Sequence, residues 1–67
     1  MMAIAKVIEV ISEGSSVEGA FEAAVSEAGK TVKNIKNVYA EGIQAIVEGG
    51  KITNYRVNVK VTFIVEN

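Results

Sequence analysis

From Asn54 to Phe63 the chain alternates without a break: Tyr55, Val57, Val59, Val61 and Phe63 are apolar, and Asn54, Arg56, Asn58, Lys60 and Thr62 are polar. A period of two predicts a strand with one apolar and one polar face. The strand is long, spanning roughly 40 Å at ~3.3 Å per residue, where strands of ~5–6 residues are the norm. It is expected to pack on a helix and to run on into a neighbouring subunit. Upstream, residues 3–12 (AIAKVIEVIS) read as a first strand rich in Ile and Val. Lys6 and Glu9 fall on opposite faces of it, so neither face is cleanly polar, as in a strand covered on both sides.

A threefold and fourfold spacing follows, with Val17, Ala20, Phe21, Ala24, Ala28 and Val32 forming one stripe. It predicts a helix beginning at Ser15 or Ser16, with Ser15 and Glu18 at capping-box spacing. Acidic residues lie early and Lys30 and Lys33 late, as the helix dipole favours. The many alanines predict a helix lying close on its sheet, while Gly19 and Gly29 are possible close contacts. Asn34 to Asn37 end the helix and turn the chain. Val38–Glu48 reads as a second strand with a bend or bulge at Gly42, and Gly49-Gly50 as its hairpin turn into the long strand. The expected fold is α+β, of order β-α-β-β, with a three-stranded antiparallel sheet curled around one helix. A single domain is expected over residues 1–67, with no linker or repeat.

Composition adds a requirement. A 67-residue chain buries only about 60% of its unfolded surface and is marginal alone. Cys and His are both absent, which removes disulfides and Cys/His metal sites as reinforcement. Half the residues are hydrophobic, at 49%, more than one helix and one sheet face can hide. Oligomerisation is therefore expected.

A net charge of −1 with scattered Lys and Glu offers no basic block for nucleic acid and no acidic tail. No apolar run approaches the ~18–20 residues of a membrane helix, and the first residues lack a signal-peptide pattern. A cytoplasmic protein is the expectation. Without Cys, His or Asp, no nucleophile–base pair or phosphate-binding glycine loop is recognisable, and no enzyme activity is expected.

The remaining candidates are polar or aromatic groups on the face away from the helix. A turn at Gly49-Gly50 sets Tyr39 opposite Lys60, Gln44 opposite Tyr55 and Arg56 opposite Ile43; a bulge at Gly42 changes that pairing. Taken alone, Tyr39 is an interface aromatic and Arg56 a surface cation.

Several motifs occur together: Lys6-Val7-Ile8-Glu9, Ser16-Val17-Glu18 with Ala20 and Ala24, Val38-Tyr39-Ala40-Glu41, and Gly50-Lys51-Ile52 with Tyr55-Arg56-Val57 and Val59-Lys60-Val61-Thr62-Phe63. In this order and spacing the chain resembles the dodecins, small flavin-binding proteins, over nearly its whole length. The resemblance implies a homododecamer, four trimers closed into a hollow sphere. It also implies a role in storing flavin, as riboflavin or FMN, and quenching its photochemistry. In flavin-binding members, paired isoalloxazine rings stack between Trp side chains at twofold axes, held by a Gln.

Here Tyr39 stands at the Trp position and Arg56 at the Gln position, so Tyr39, Gln44 and Arg56 are the implied flavin-binding residues. Tyr offers a smaller stacking face, and Arg cannot accept a bond from flavin N3–H. Two Arg56 side chains meeting at a twofold axis repel unless an anion or flavin phosphate lies nearby. Two alternatives are a cage binding another small ligand or a divalent cation, through carboxylates such as Glu9, Glu13 and Glu41, and an assembly with no ligand.

Overall fold

The computed structural model describes residues 3–66. Residues 1, 2 and 67 of the expected domain lie outside that range. The order is β1 (Ala3–Gly14), α1 (Val17–Ala28), β2 (Ile35–Glu48) and β3 (Lys51–Glu66). The strands form one antiparallel sheet of order β1-β3-β2, so the long alternating strand is central, as the β-α-β-β expectation requires. β1 runs two residues further than its sequence pattern suggested, to Gly14, and β2 begins three residues earlier, at Ile35. Both extensions are paired along β3, so the ladder overrides weak local propensity.

Helix α1 starts at Ser16 rather than Ser15. The Gly19 N–H donates to Ser16 Oγ at 2.9 Å. No capping box forms, because the residue three places after the cap is Gly19, which has no side chain to reach back. Glu18 still sits in the first turn, but the last turn carries no base. The helix stops at Ala28, so Lys30 and Lys33 lie beyond it. Gly29 caps the helix, and the N–H groups of Lys30 and Thr31 donate to the carbonyls of Glu27 and Ala28 at 3.2 and 3.1 Å. Asn34 then adopts a left-handed φ of 63°, which Asn tolerates better than most residues. There the chain enters β2, with the Ile64 N–H donating to Asn34 O at 3.1 Å.

The core is a zipper of small residues. Ala20, Ala24 and Ala28 of the helix are buried against Val57, Val59 and Val61 of β3. Ile8, Val10, Phe21, Val38 and Ala40 pack around them. Odd positions of β3 therefore face the helix and even positions face outward, as the alternation predicts. The predicted close approach exists, but at Gly14 rather than Gly19 or Gly29: a Cβ there would lie 2.6 Å from the Ala20 backbone nitrogen. Ser12 fastens the same corner, its Oγ–H donating to Ala20 O at 2.6 Å. Phe63, 8% exposed, sits beyond this zipper beside the segment Thr31–Asn34. Ser12, bonded to Ala20 near the start of the helix, pairs with Val57, so β3 runs alongside the helix in the same direction and carries Phe63 to the far end, away from Phe21.

Much apolar surface is left uncovered in one chain. Val7, Ile11 and Tyr39 are exposed on the outer face, where their β3 neighbours are Thr62, Asn58 and Lys60. Ile43, Val47 and Ile52 are exposed toward the hairpin end. The chain is elongated, 55 × 19 × 13 Å, with these exposed apolar side chains spread along its open sheet.

Candidate functional site

The outer face of the sheet is shaped by the β2–β3 hairpin. Gly49 and Gly50 take φ of 58° and 76°, the two positive values that a tight two-residue hairpin turn requires. Glu48 pairs with Lys51 and Val47 with Ile52, after which the register shifts and Ile46 pairs with Asn54. Thr53 is thus an extra residue on β3, its Oγ1–H donating to Ile46 O at 3.3 Å. A second shift between Ala40 and Gly42 leaves Glu41 as the extra residue on β2. The two bulges cancel. Tyr39 lies opposite Lys60, as expected, while the stretch between the bulges is displaced by one position.

That displacement corrects two expected pairings. Gln44 lies opposite Arg56 rather than Tyr55, and Arg56 opposite Gln44 rather than Ile43. A one-residue change of register transfers a side chain to the other face of a sheet. Gln44 and Gly42 consequently share the outer face with Arg56 and Asn58. The expected irregularity at Gly42 proves to be a bulge centred on its neighbour, Glu41.

A recess of about 240 Å³ opens here, lined by Ile11, Glu41, Gly42, Gln44, Arg56 and Asn58. Its Arg is held in place: Nε and Nη2 of Arg56 donate to Glu13 Oε2 at 3.0 and 2.8 Å. Glu13 faces Arg56 across the β1–β3 ladder because β1 continues past Ser12. Both side chains are nearly half exposed, so the pair adds little stability; its effect is to neutralise and orient the guanidinium. The repulsion expected between two Arg56 side chains at a twofold axis is therefore met by an anion from the same chain. Similarly, Lys60 Nζ lies 3.3 Å from Glu41 Oε2.

Of the three sequence-predicted residues, Gln44 and Arg56 are brought together in this recess. Tyr39 is not part of its lining; it stands further along the same face beside Lys60, 62% exposed. Of the carboxylates considered for a cation, Glu13 and Glu41 are occupied by ion pairs. Among the described residues no cluster of three metal-ligating side chains occurs. Sequence reasoning missed Glu13 as the partner of Arg56, because β1 had been ended at Ser12. It also passed over Asn58, whose place in the polar alternation between Arg56 and Lys60 was the available signal.

A long three-stranded antiparallel sheet packed on one helix, with an open recess on its outer face, defines a small β-α-β-β protein. The dodecin family model matches residues 4–66, and the chain belongs to the dodecin family. Its fold is similar to that of a Thermus thermophilus protein at TM-score 0.90, with 22% identity over 98% of both chains. Similar too are the dodecins of Streptomyces davaonensis, with TM-score 0.88 and 18% identity over 97% of both chains, and of Streptomyces coelicolor. The latter has TM-score 0.88 and 23% identity over 97% of this chain and 94% of that one. No curated protein matches the sequence.

Proposed function

We propose that the chain is a non-catalytic flavin-binding protein that sequesters riboflavin or FMN and quenches its photochemistry. The ligand lies between copies of the chain in a dodecameric cage of four trimers, each copy a single dodecin-like domain over residues 1–67. Tyr39 stacks on the isoalloxazine ring, and Gln44 and Arg56 address its polar edge. The observation that carries this reading is the register offset, which sets Gln44 directly across from Arg56 on the face that also presents Tyr39. Exposed Val7, Ile11 and Tyr39 on that face, together with a core built largely of Ala and Val, support burial against further copies. No described helix is long and apolar enough to cross a membrane, in keeping with a proposed cytoplasmic location.

Two measurements test the reading. Sedimentation at micromolar concentration is expected to give a particle near twelve protomers, and a monodisperse monomer overturns the assembly. Titration of riboflavin or FMN is expected to quench its fluorescence. Tyr39→Trp enlarges the stacked face and tightens binding by ~0.5–1.5 kcal/mol, the scale of aromatic pairs. No quenching by the wild type and no gain from Tyr39→Trp together exclude a flavin site.

A further inference from the structure

Arg56 brings donors to the recess and no acceptor. Its Nε and Nη2 are turned to Glu13, which leaves Nη1 to meet a carbonyl oxygen of a ligand. A flavin, however, presents an alternating edge: a carbonyl, the N3–H and a second carbonyl. That edge needs one acceptor between two donors, and a guanidinium supplies only the donors. Two side-chain amides line the recess and can supply the missing acceptor: that of Gln44, exposed to solvent, and that of Asn58, half-buried with an enclosed oxygen.

Asn58 is placed for it. It is two residues beyond Arg56 on β3, hence on the same face, opposite Gly42 and Ile11 in the two neighbouring strands, and it lines the recess. Gly42 has no side chain to crowd it. Its Oδ1 is enclosed and has no hydrogen-bond donor among the described residues, an uncommon state for a buried polar atom. Rotation about the last side-chain torsion of Asn is soft, so turning this oxygen toward a ligand sacrifices no hydrogen bond that it makes now. We propose that Asn58 is the acceptor for the ligand's imide N–H, with Arg56 donating to the adjoining carbonyl. The two side chains divide between them what a single Gln amide offers as a donor and an acceptor. The ligand class is then a planar aromatic carrying a cyclic imide, O=C–NH–C=O. This inference rests on the flavin reading of the recess and adds the residue that reads N3–H.

The test compares riboflavin with N3-methylriboflavin by fluorescence titration of the wild type, Asn58→Ala and Asn58→Asp, with oligomer size monitored for each. The methyl group removes the donor and leaves the rings intact. Wild type is expected to bind riboflavin more tightly than the methylated form. Asn58→Ala is expected to weaken riboflavin by about 2- to 12-fold, the span of one net hydrogen bond, while leaving N3-methylriboflavin unchanged or improved. Asn58→Asp keeps an acceptor and is expected to retain the discrimination. If Asn58→Ala discriminates as strongly as wild type, another acceptor such as Gln44, or steric exclusion, explains the preference and Asn58 is not the reader, although the flavin site stands. Equal wild-type affinity for both flavins has the same consequence. If neither flavin binds the wild type, the proposal falls together with the flavin reading.

Discussion

Phe63→Ala is expected to cost ~3–5 kcal/mol per protomer, the range for truncating a buried aromatic. Phe63 is 8% exposed and lies on the helix face of the central strand, past the last buried alanine of α1. Its cross-strand neighbours are Lys6 and Ile35, one charged and one only partly buried, so little apolar bulk stands ready to collapse into the space left behind. The next residue toward the core on β3, Thr62, faces outward between Val7 and Asn37. Thr62→Ala is expected to stay near the ~0.5 kcal/mol of ordinary surface changes. Denaturant melts of both variants at one protein concentration make the comparison, since the stability of an assembly depends on concentration. Equal large losses assign Thr62 to a subunit contact; equal negligible losses contradict the burial of Phe63.

Gly14→Ala is the second substitution with a large expected effect. The added Cβ would lie 2.6 Å from Ala20 N and 2.9 Å from the Gly19 carbonyl carbon. Both are backbone atoms of the helix, so no side chain can swing aside. The first turn of α1 has to move off the sheet, loosening the contact of Ala20 with Val57 and the hydrogen bond from Ser12. Overpacking ordinarily costs ~1–3 kcal/mol, and more where the surroundings are rigid; a loss at the upper end is expected. Gly42→Ala, where an added Cβ meets nothing within 4 Å, is the control, and its melting curve is expected to stay close to wild type. A Gly14→Ala protein as stable as that control shows that the helix adjusts freely.

The fold was legible because its two periods are clean. Tyr55 to Phe63 could be read only as a two-faced strand, and Val17 to Ala28 only as a one-sided helix. What escaped was decided by partners distant in sequence. Ser15 and Ser16 are equally good caps, and the approach of Ala20 to Gly14 sets where the helix starts. Nothing local distinguishes a glycine that bends the chain from one, such as Gly14, that lets a helix come close. At the candidate site, Arg56 was legible as an outer-face residue from the alternation, whereas Gln44, expected opposite Tyr55, reaches that face only through the register shift. Thr53 has no local mark of a bulge, and its hydrogen bond to Ile46 becomes visible only once the strands are paired. The Glu13–Arg56 pair spans 43 positions of sequence, beyond the reach of any local pattern.

The paired bulges carry a consequence for how the length of this chain can change. Thr53 moves the ladder forward by one residue and Glu41 moves it back, so the stretch between them is a short phase-shifted window. Loss of Thr53 alone would set Ile52 and Asn54 side by side across from Val47 and Ile46, closing the bulge into a regular ladder with Gln44 still across from Arg56. Loss of Glu41 alone would likewise bring Ala40 and Gly42 together across from Val59 and Asn58. Loss of a paired residue inside the window is different: without Gln44, the bulge at Glu41 takes up the missing position only by bringing Ile43 out beside Arg56 and turning Gly42 to the helix side. Single-residue deletions are therefore expected to be better tolerated at the two extra residues than at the paired residues between them.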